Sequence, residues 1–307
     1  MAQFRTDTGS YLPNCNTIFE VVMTATASGS PVSNTNVLPV GIRHANNSII
    51  DVNHPLDVRT NTESIYSAPW DMQVARGKVQ GVTQVNVFGY STTIDGTFIP
   101  AWENGTVYAF PAAAVNMRVV SSSASDNTAA SITINGLDAN WNLLSETIYL
   151  NGTSTVTTVN QFLRINSILM VSPGTGQVTN VGTITLTNGS GTIHGQINPG
   201  VGRMQNSWYS VPAGHGLYIQ NINAFTGETK QGNTPTWMYY RVLVKDNNNG
   251  VQRTILQTSF QNEYKVQRFN PVKYGEKSDV QWQFSASSGT VSLGLILEAV
   301  LIADTAP

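Results

Sequence analysis

The segment that decides the fold is Met238-Tyr-Tyr-Arg-Val-Leu-Val-Lys245, in which apolar and polar residues alternate. Its even-numbered residues are all apolar, whereas Arg241 and Lys245 fall on the opposite side. Because successive side chains of a β-strand point to opposite faces, a period of two predicts a strand with one buried face. The β-branched and aromatic residues in the segment favour the same structure.

The same alternation recurs along the chain. It appears in Asp279-Val-Gln-Trp-Gln-Phe-Ser-Ala286, around Ile132 and Ile134, and around Ile184 and Leu186. Asn and Gly tolerate the positive φ angles of tight hairpins, so Asn-Gly pairs between such segments predict turns. The predicted turns lie at Asn135-Gly136, Asn151-Gly152, Asn188-Gly189 and Asn247-Asn-Asn-Gly250.

The chain contains no convincing amphipathic helix pattern, because Pro or Gly interrupts most windows of helical length. Short strands with frequent turns are typical of β-sandwiches and jelly rolls. We therefore expect an all-β chain. The last strand, Thr290–Ile302, becomes apolar on both faces after Leu293, which predicts a central strand of a covered sheet or a strand against another subunit.

Composition divides the chain into three regions. Residues 1–77 are irregular, with short apolar runs, and we expect an extended N-terminal arm with a few short strands. Residues 78–203 contain nine charged residues among 126 and end in a glycine-rich stretch, which predicts a β-sandwich module. Residues 204–307 are more ordinary in composition and predict a C-terminal jelly-roll-like β module.

Charged residues make up only 11% of the 307 residues, compared with roughly 25% in typical soluble domains. Charges normally keep surfaces soluble and sheet edges unpaired. A chain so poor in charge is expected to cover much of its surface with neighbouring molecules. The net charge of −2 gives no basic footprint for nucleic acid or an anionic membrane. The sequence shows no apolar membrane span and no signal peptide, so no membrane or secretory location is expected.

Metal and nucleophile motifs are missing from the sequence. The four histidines are isolated in sequence, and His215 in particular is expected at a hairpin tip, so no metal site or cofactor is predicted. The single cysteine, Cys15, excludes an intramolecular disulfide and has no neighbouring histidine to activate it. No nucleophile elbow or phosphate-binding glycine motif is present, and we predict no catalytic residues.

Two weaker hypotheses concern carbohydrate. The acid pairs Asp138/Glu146 and Asp95/Glu103 could form a glycosidase pair, although each acid lies near Gly or Asn and more simply serves as a turn acceptor. Aromatic rings can also stack on sugars, although core packing is their commoner role. The candidate sugar contacts are Trp102, Tyr108, Trp141 and Trp208.

Several segments resemble virion structural proteins of tailed bacteriophages that infect aquatic bacteria and cyanobacteria. The likeness is carried mainly by Ile132-Thr-Ile-Asn-Gly-Leu-Asp-Ala-Asn-Trp-Asn-Leu-Leu-Ser-Glu-Thr147 and by the following Leu150–Asn166. Shorter similarities occur in Phe4–Thr8, in Val85–Tyr90 and in Tyr209–Ile219. The resemblance covers most of residues 78–307 and implies membership of a virion, without catalytic residues to transfer.

Together these observations predict a non-enzymatic structural component of a tailed-phage virion, at the periphery of the tail or baseplate. It would be assembled in the host cytoplasm through oligomerisation and through contacts of the arm and strand edges with other virion proteins. The resemblance to this family is the sole reason to expect a homotrimer. The alternatives are a capsid decoration or neck (collar) protein, a carbohydrate-binding module that recognises host surface glycan, and a glycan hydrolase.

Overall fold

The structure, a computed structural model, describes residues 21–23, 40–42, 69–230 and 237–305. Residues 1–67 and residues 68–307 form two separate compact units. In the first unit the described part is one antiparallel strand pair, β1 (Val21–Met23) with β2 (Val40–Ile42). Most of the predicted arm, including Cys15, His44 and His54, lies outside the described residues.

The described residues of the second unit are almost entirely β, which confirms the predicted fold class. The one helix described there is short: α1 (Trp70–Ala75) begins after Pro69 and is followed by Arg76 and Gly77, whose φ is +66°. The strands are β3 (Val82–Ile94), β4 (Ile99–Pro100), β5 (Val115–Ser121), β6 (Ser131–Leu137), β7 (Leu143–Tyr149), β8 (Val156–Phe162), β9 (Arg164–Ser172), β10 (Ile184–Thr187), β11 (Ile193–Ile197), β12 (Trp208–Ser210), β13 (His215–Lys230), β14 (Met238–Asp246), β15 (Gln252–Phe260), β16 (Glu263–Tyr274), β17 (Ser278–Ala286) and β18 (Thr290–Ala303).

Two of the sheets form a jelly roll. One has the strand order β16-β13-β18-β3; the other has the order β15-β14-β17, with both β4 and β12 beside β17. The strands follow one another in the order of a double Greek key, and the chain crosses between the sheets at every step except β4 to β12 and β14 to β15. The two inner faces enclose one apolar core, in which Leu297 of β18 lies opposite Ile222 of β13 and Val87 of β3.

The other two sheets, β11-β10-β5-β8 and β7-β6-β9, form a second sandwich around its own core. This sandwich is inserted into one strand position of the jelly roll. Ile99 and Pro100 of β4 lie opposite Phe284 and Gln283, and Trp208 of β12 continues the same register opposite Gln281. Residues 101–207 thus leave and re-enter a single edge strand. We call them the inserted module.

One serine ties the two ends of the insertion together. The Ser207 hydroxyl accepts a 2.7 Å hydrogen bond from the backbone N–H of Ala101 and donates one of 2.6 Å to the carbonyl of Trp282. The Trp282 N–H in turn donates to the carbonyl of Ser207 at 2.9 Å. The chain therefore bridges the interruption almost as a continuous strand would, and domain insertions are tolerated where their ends lie this close.

Strand pairing corrects the grouping expected from sequence. β3 and β4 were assigned to the module of residues 78–203, but they pair with β18 and β17 of the C-terminal module and complete its two sheets. The inserted module is accordingly shorter than the predicted β-sandwich of residues 78–203. Alternation in sequence shows that a strand exists but carries no information about a pairing partner so far along the chain.

Two further expectations need correction. Asn135-Gly136 is not a turn but lies inside β6, where a Cβ on residue 136 would clash with the Arg164 carbonyl oxygen. Glycine is present there because two backbones approach closely. β17 was expected to be half-buried, yet all nine of its residues are buried, and Gln281 and Gln283 hydrogen-bond each other at 2.6 Å. β18 is central, between β13 and β3, as predicted.

Candidate interaction site at the module junction

The aromatic residues singled out in the sequence lie together, but mostly inside the protein. Trp102, Tyr108 and Trp208 are each less than 5% exposed. Tyr108 stacks on Trp208 with ring centroids 3.7 Å apart, and Trp102 meets both rings edge-on at 5.4 Å. These three rings have no exposed face on which a sugar could stack, because they form the part of the inserted module's core nearest to the jelly roll.

Trp141, the fourth candidate, lies in the turn between β6 and β7 with a φ of +68°. The guanidinium of Arg164 lies over its ring at 4.6 Å, a cation–π contact. The Trp141 carbonyl accepts a hydrogen bond of 2.9 Å from Ala213, in the loop that precedes β13. The turn thus joins the inserted module to the jelly roll, and the hypothesis that Trp141 contacts sugar stays a prediction.

A buried ion pair connects the two sandwiches. Arg164, at the start of β9, binds Asp279 of β17 through two parallel bonds, Nε–Oδ1 at 2.7 Å and Nη2–Oδ2 at 2.9 Å. The Arg164 side chain is 6% exposed and that of Asp279 is 1% exposed. The bidentate geometry is the strongest that an arginine and a carboxylate can adopt.

The remaining hydrogen-bonding groups of this pair are also satisfied. Arg164 Nη1 donates to the carbonyls of Pro111 and Leu163, at 2.9 and 2.8 Å. Asp279 accepts further bonds from the Ser210 hydroxyl at 2.6 Å and from the Asn247 amide at 2.8 Å. A buried ion pair is tolerated only when its other lone pairs and protons find partners, and here they do.

Two more contacts hold the junction in register. The Asn166 side chain donates to the Ser210 carbonyl and accepts from the Ser210 N–H, both at 2.9 Å. The Trp208 indole donates to the Ile165 carbonyl at 2.9 Å. β9 of the inserted module is therefore hydrogen-bonded to β12 of the jelly roll by side chains that mimic a strand pairing.

Next to the junction lies a groove of about 480 Å³. One wall is the first half of β3, residues 83–88; the other is the outer face of β7-β6-β9, where Ser145, Asn135 and Ser167 form a hydrogen-bonded row. Among the described residues that line the groove, Arg203 is the one that carries a charge. We call this space the β3 groove.

Arg203 stacks on the Phe88 ring at 4.4 Å. Its Nε atom is buried without a hydrogen-bond partner, and within the described ranges no carboxylate pairs with it. Burial lowers the pKa of this guanidinium from its usual value, although an arginine remains protonated in any ordinary buffer. The groove therefore holds a positive charge that lacks a counter-charge.

A second cavity, of about 700 Å³, opens at one end of the jelly roll between β15 and β16. Val242, Val244 and Leu256 contribute apolar lining, and Arg253 and Lys273 lie at its rim. Lys273 pairs with Asp304 at 3.5 Å, but both side chains are about half exposed, so the pair adds little stability.

The acids considered for glycoside hydrolysis have structural partners. Asp138 accepts hydrogen bonds from the backbone N–H groups of Asn140 and Asn142. Slight burial acts to raise its pKa, but these bonds and one from the Asn142 amide outweigh it, and the pKa is lowered. Glu146 accepts from the N–H groups of Val159 and Asn160.

Glu103, in the other pair, is partly buried beneath the loop that returns to the jelly roll. It accepts a 3.1 Å bond from the Asn198 N–H, and its Oε2 atom is buried without a partner. Burial raises the pKa of Glu103 to about 7, against the opposing effect of backbone hydrogen bonds from Asn198 and Gln205. Asp95 serves its own turn, accepting from the Thr97 N–H at 2.8 Å.

Histidines and metal ligands add no further site. His194 is buried in the inserted module beside Tyr108, and burial lowers its pKa, so it is neutral at pH 7. His215 contacts the Ala213 carbonyl through Nδ1 at 2.8 Å, next to the loop where a hairpin tip was predicted. No group of three His, Cys, Asp or Glu residues suited to a metal ion occurs in the part of the chain that the structure describes. No helix among those residues is long and apolar enough to cross a membrane.

Sequence reasoning missed Arg164 and Asp279. The available signal was a lone arginine between apolar neighbours in Phe162-Leu-Arg-Ile165, at the start of a strand. A charge in such a position must be paired if it is buried. Its partner is 115 positions away in the chain, and only the fold brings the two together.

No protein-family model and no curated protein matches the chain. Among solved structures it is similar to the T=13 particle of infectious bursal disease virus (IBDV), at 10% identity over 73% of this chain and 68% of that chain, with a TM-score of 0.23. It is also similar to an IBDV VP2 subviral particle, at 12% identity over 81% and 78%, with a TM-score of 0.18. TM-scores this low carry no argument about fold or function.

Proposed function

We propose that this chain is a non-enzymatic structural component of a virus particle, and more specifically of the tail or baseplate periphery of a tailed phage. The observation that carries the proposal is a surface that is poor in charge and partly apolar, on two sandwiches held together by the buried Arg164–Asp279 pair. With 11% charged residues, the chain exposes large apolar side chains in both sandwiches. Examples are Tyr149, Val159 and Val171 in the inserted module and Trp237 and Tyr239 in the jelly roll.

Such a surface is suited to permanent contact with neighbours. Apolar groups gain free energy when a neighbour removes them from water, and neutral strands can pack in many copies without the repulsion that symmetry would multiply. The bonded junction keeps the two sandwiches in one arrangement, so a contact made by one is held in register with a contact made by the other. The sequence resemblance to phage virion proteins supports the same class, and the position at the tail or baseplate is part of the proposal.

The acids and aromatics considered for carbohydrate chemistry do not favour a second function. Asp138 and Glu146 are engaged by backbone N–H groups, and three of the four rings are buried. We therefore propose neither glycan hydrolysis nor sugar binding through these residues.

Immunogold electron microscopy of purified phage particles tests the proposal. Antibodies raised against the recombinant chain should label particles at the tail or baseplate, and peptide mass spectrometry of the particles should contain the chain. Label on the capsid or neck would move the chain to the capsid decoration or collar class. Absence of the chain from particles, with other virion proteins detected in the same sample, would overturn the virion role.

A further inference from the structure

One edge of the jelly roll lacks the protection that its other long edges have. Edge strands are normally kept from pairing with other chains by charged residues or proline. The edge strand β16 carries Lys265, Pro271 and Lys273, and the edge strand β15 carries Arg253. β3 is thirteen residues long and contains neither a charged residue nor proline.

The backbone groups of β3 that do not bond β18 face the β3 groove. In an antiparallel strand, each residue directs its N–H and C=O to the same side, and successive residues alternate. The Gly81 carbonyl accepts a hydrogen bond from the N–H of Ala303, the last residue of β18, whereas the Phe88 carbonyl accepts from the Asn206 N–H on the opposite side, both at 2.8 Å. Odd-numbered residues of this stretch therefore bond β18, and Gln84, Asn86 and Phe88 face away from it.

These outward groups have no strand beside them. In the described part of the chain, β3 pairs with β18 alone, and the Phe88 carbonyl is the single outward group taken up by Asn206. The side chain of Asn86 is exposed, and among the described residues it accepts one hydrogen bond, of 3.4 Å, from the Gln84 amide. The open edge thus offers both backbone groups of Gln84 and Asn86 and the N–H of Phe88.

The groove beside this edge has a chemical character of its own. Its walls are neutral, with Thr, Asn, Ser and apolar side chains, and Arg203 supplies one positive charge without a carboxylate. The wall opposite β3 is the outer face of β7-β6-β9. A segment that suits it is extended, largely uncharged, and carries a single acidic residue.

We propose that the β3 groove binds an extended segment of a second copy of this chain, which pairs with Gln84, Asn86 and Phe88 as a fifth strand of the sheet β16-β13-β18-β3 and places a carboxylate against Arg203. The chain matches that description: it is 11% charged, with 18 acidic against 16 basic residues. This inference rests on the proposed function, under which many copies meet. Strand addition derives its affinity from main-chain hydrogen bonds, which the open edge supplies.

Hydrogen exchange of the full chain at low and high protein concentration tests the inference. The amides of Gln84 and Asn86 should become protected as the chain associates. Asn86→Pro removes the outward N–H and leaves the bonds to β18 intact; the matched control Asn86→Thr keeps the N–H. We expect Asn86→Pro to weaken self-association about tenfold or more in sedimentation velocity, and Asn86→Thr to change it by less than about twofold.

Each other outcome overturns the inference. Fast exchange of the two amides in the associated state would show that the copies meet elsewhere. Protection at concentrations where the chain is monomeric would show that the chain covers its own edge, and protection that needs another virion protein would assign the groove to that protein. Amide exchange of the wild-type chain shows whether the β3 edge pairs with a second copy even if Asn86→Pro fails to fold. The chain could still be located in particles in all these cases, so the proposed function is tested separately.

Discussion

The two sandwiches of this protein have similar architectures, but one is formed by a contiguous stretch of the chain and the other by two stretches far apart in sequence. The inserted module uses strands that follow one another, β5 to β11, whereas the jelly roll combines β3 and β4 with strands that begin after residue 207. A contiguous module can form from local contacts. The jelly roll must close a long loop before β3 can pair with β18, and this costs chain entropy. The junction contacts around Arg164 and Asp279 secure the loop in its closed form.

Loss of the buried ion pair between the two sandwiches is expected to have the largest effect on stability. Arg164→Met leaves the Asp279 carboxylate buried without its counter-charge, which should lower the free energy of unfolding by about 3–5 kcal/mol. Denaturant unfolding followed by tryptophan fluorescence measures it. The double variant Arg164→Met with Asp279→Leu should recover much of the loss, because no unpaired charge remains. A double variant as unstable as the single one would show that packing, and not charge, holds the junction.

Matched truncations in the two cores test whether the two sandwiches unfold together. Leu297→Ala in the jelly roll and Ile134→Ala in the inserted module each remove a fully buried side chain and should cost about 2–4 kcal/mol. Because the junction joins the sandwiches, each variant should shift one common unfolding transition in differential scanning calorimetry. Two separated transitions, with each variant moving only its own, would show that the sandwiches unfold independently. Val159→Thr, at an 86% exposed position, is the control and should change the free energy of unfolding by no more than about 0.5 kcal/mol.

The smallest expected effect concerns pH. Burial raises the pKa of Glu103 to about 7 in the folded chain, from the usual value of 4.5. The folded state therefore binds this proton more tightly than the unfolded state does. The resulting contribution of Glu103 to the free energy of unfolding is fully present below pH 4.5 and is lost as the pH rises through 7. Solvent screening of a partly exposed group reduces it to on the order of 1–2 kcal/mol. Glu103→Gln should flatten the stability profile between pH 4.5 and 7. An unchanged slope would assign the dependence to another group.

Local patterns predicted the existence of strands well and their partners poorly. β14 and β17 lie where alternation placed them, because a half-apolar segment can bury its apolar side only as a strand of a sheet. The outer face of β17 carries Asp, Gln and Ser and was therefore expected in solvent. It is buried because the inserted module and the neighbouring strands supply hydrogen-bond partners for it. No window of sequence contains both sides of that contact.

The candidate site shows the same division. The aromatic residues Trp102, Tyr108 and Trp208 are predicted from sequence to share a role as sugar contacts, and they do lie together. Their role is core packing, which depends on burial, and burial is not visible in residue type alone. Arg164 and Asp279 were not noticed, since neither lies in a motif and each is ordinary until the other is beside it.

The sequence by itself determined an all-β chain, the positions of most strands and a surface with little charge, because these follow from side-chain periodicity and composition. The tertiary structure alone decided that a sandwich interrupts an edge strand of a jelly roll, that a buried ion pair joins the two, and that β3 is left with an open edge. Each of these features depends on residues more than one hundred positions apart, where pairing is set by the cooperative packing of whole sheets and not by any local preference.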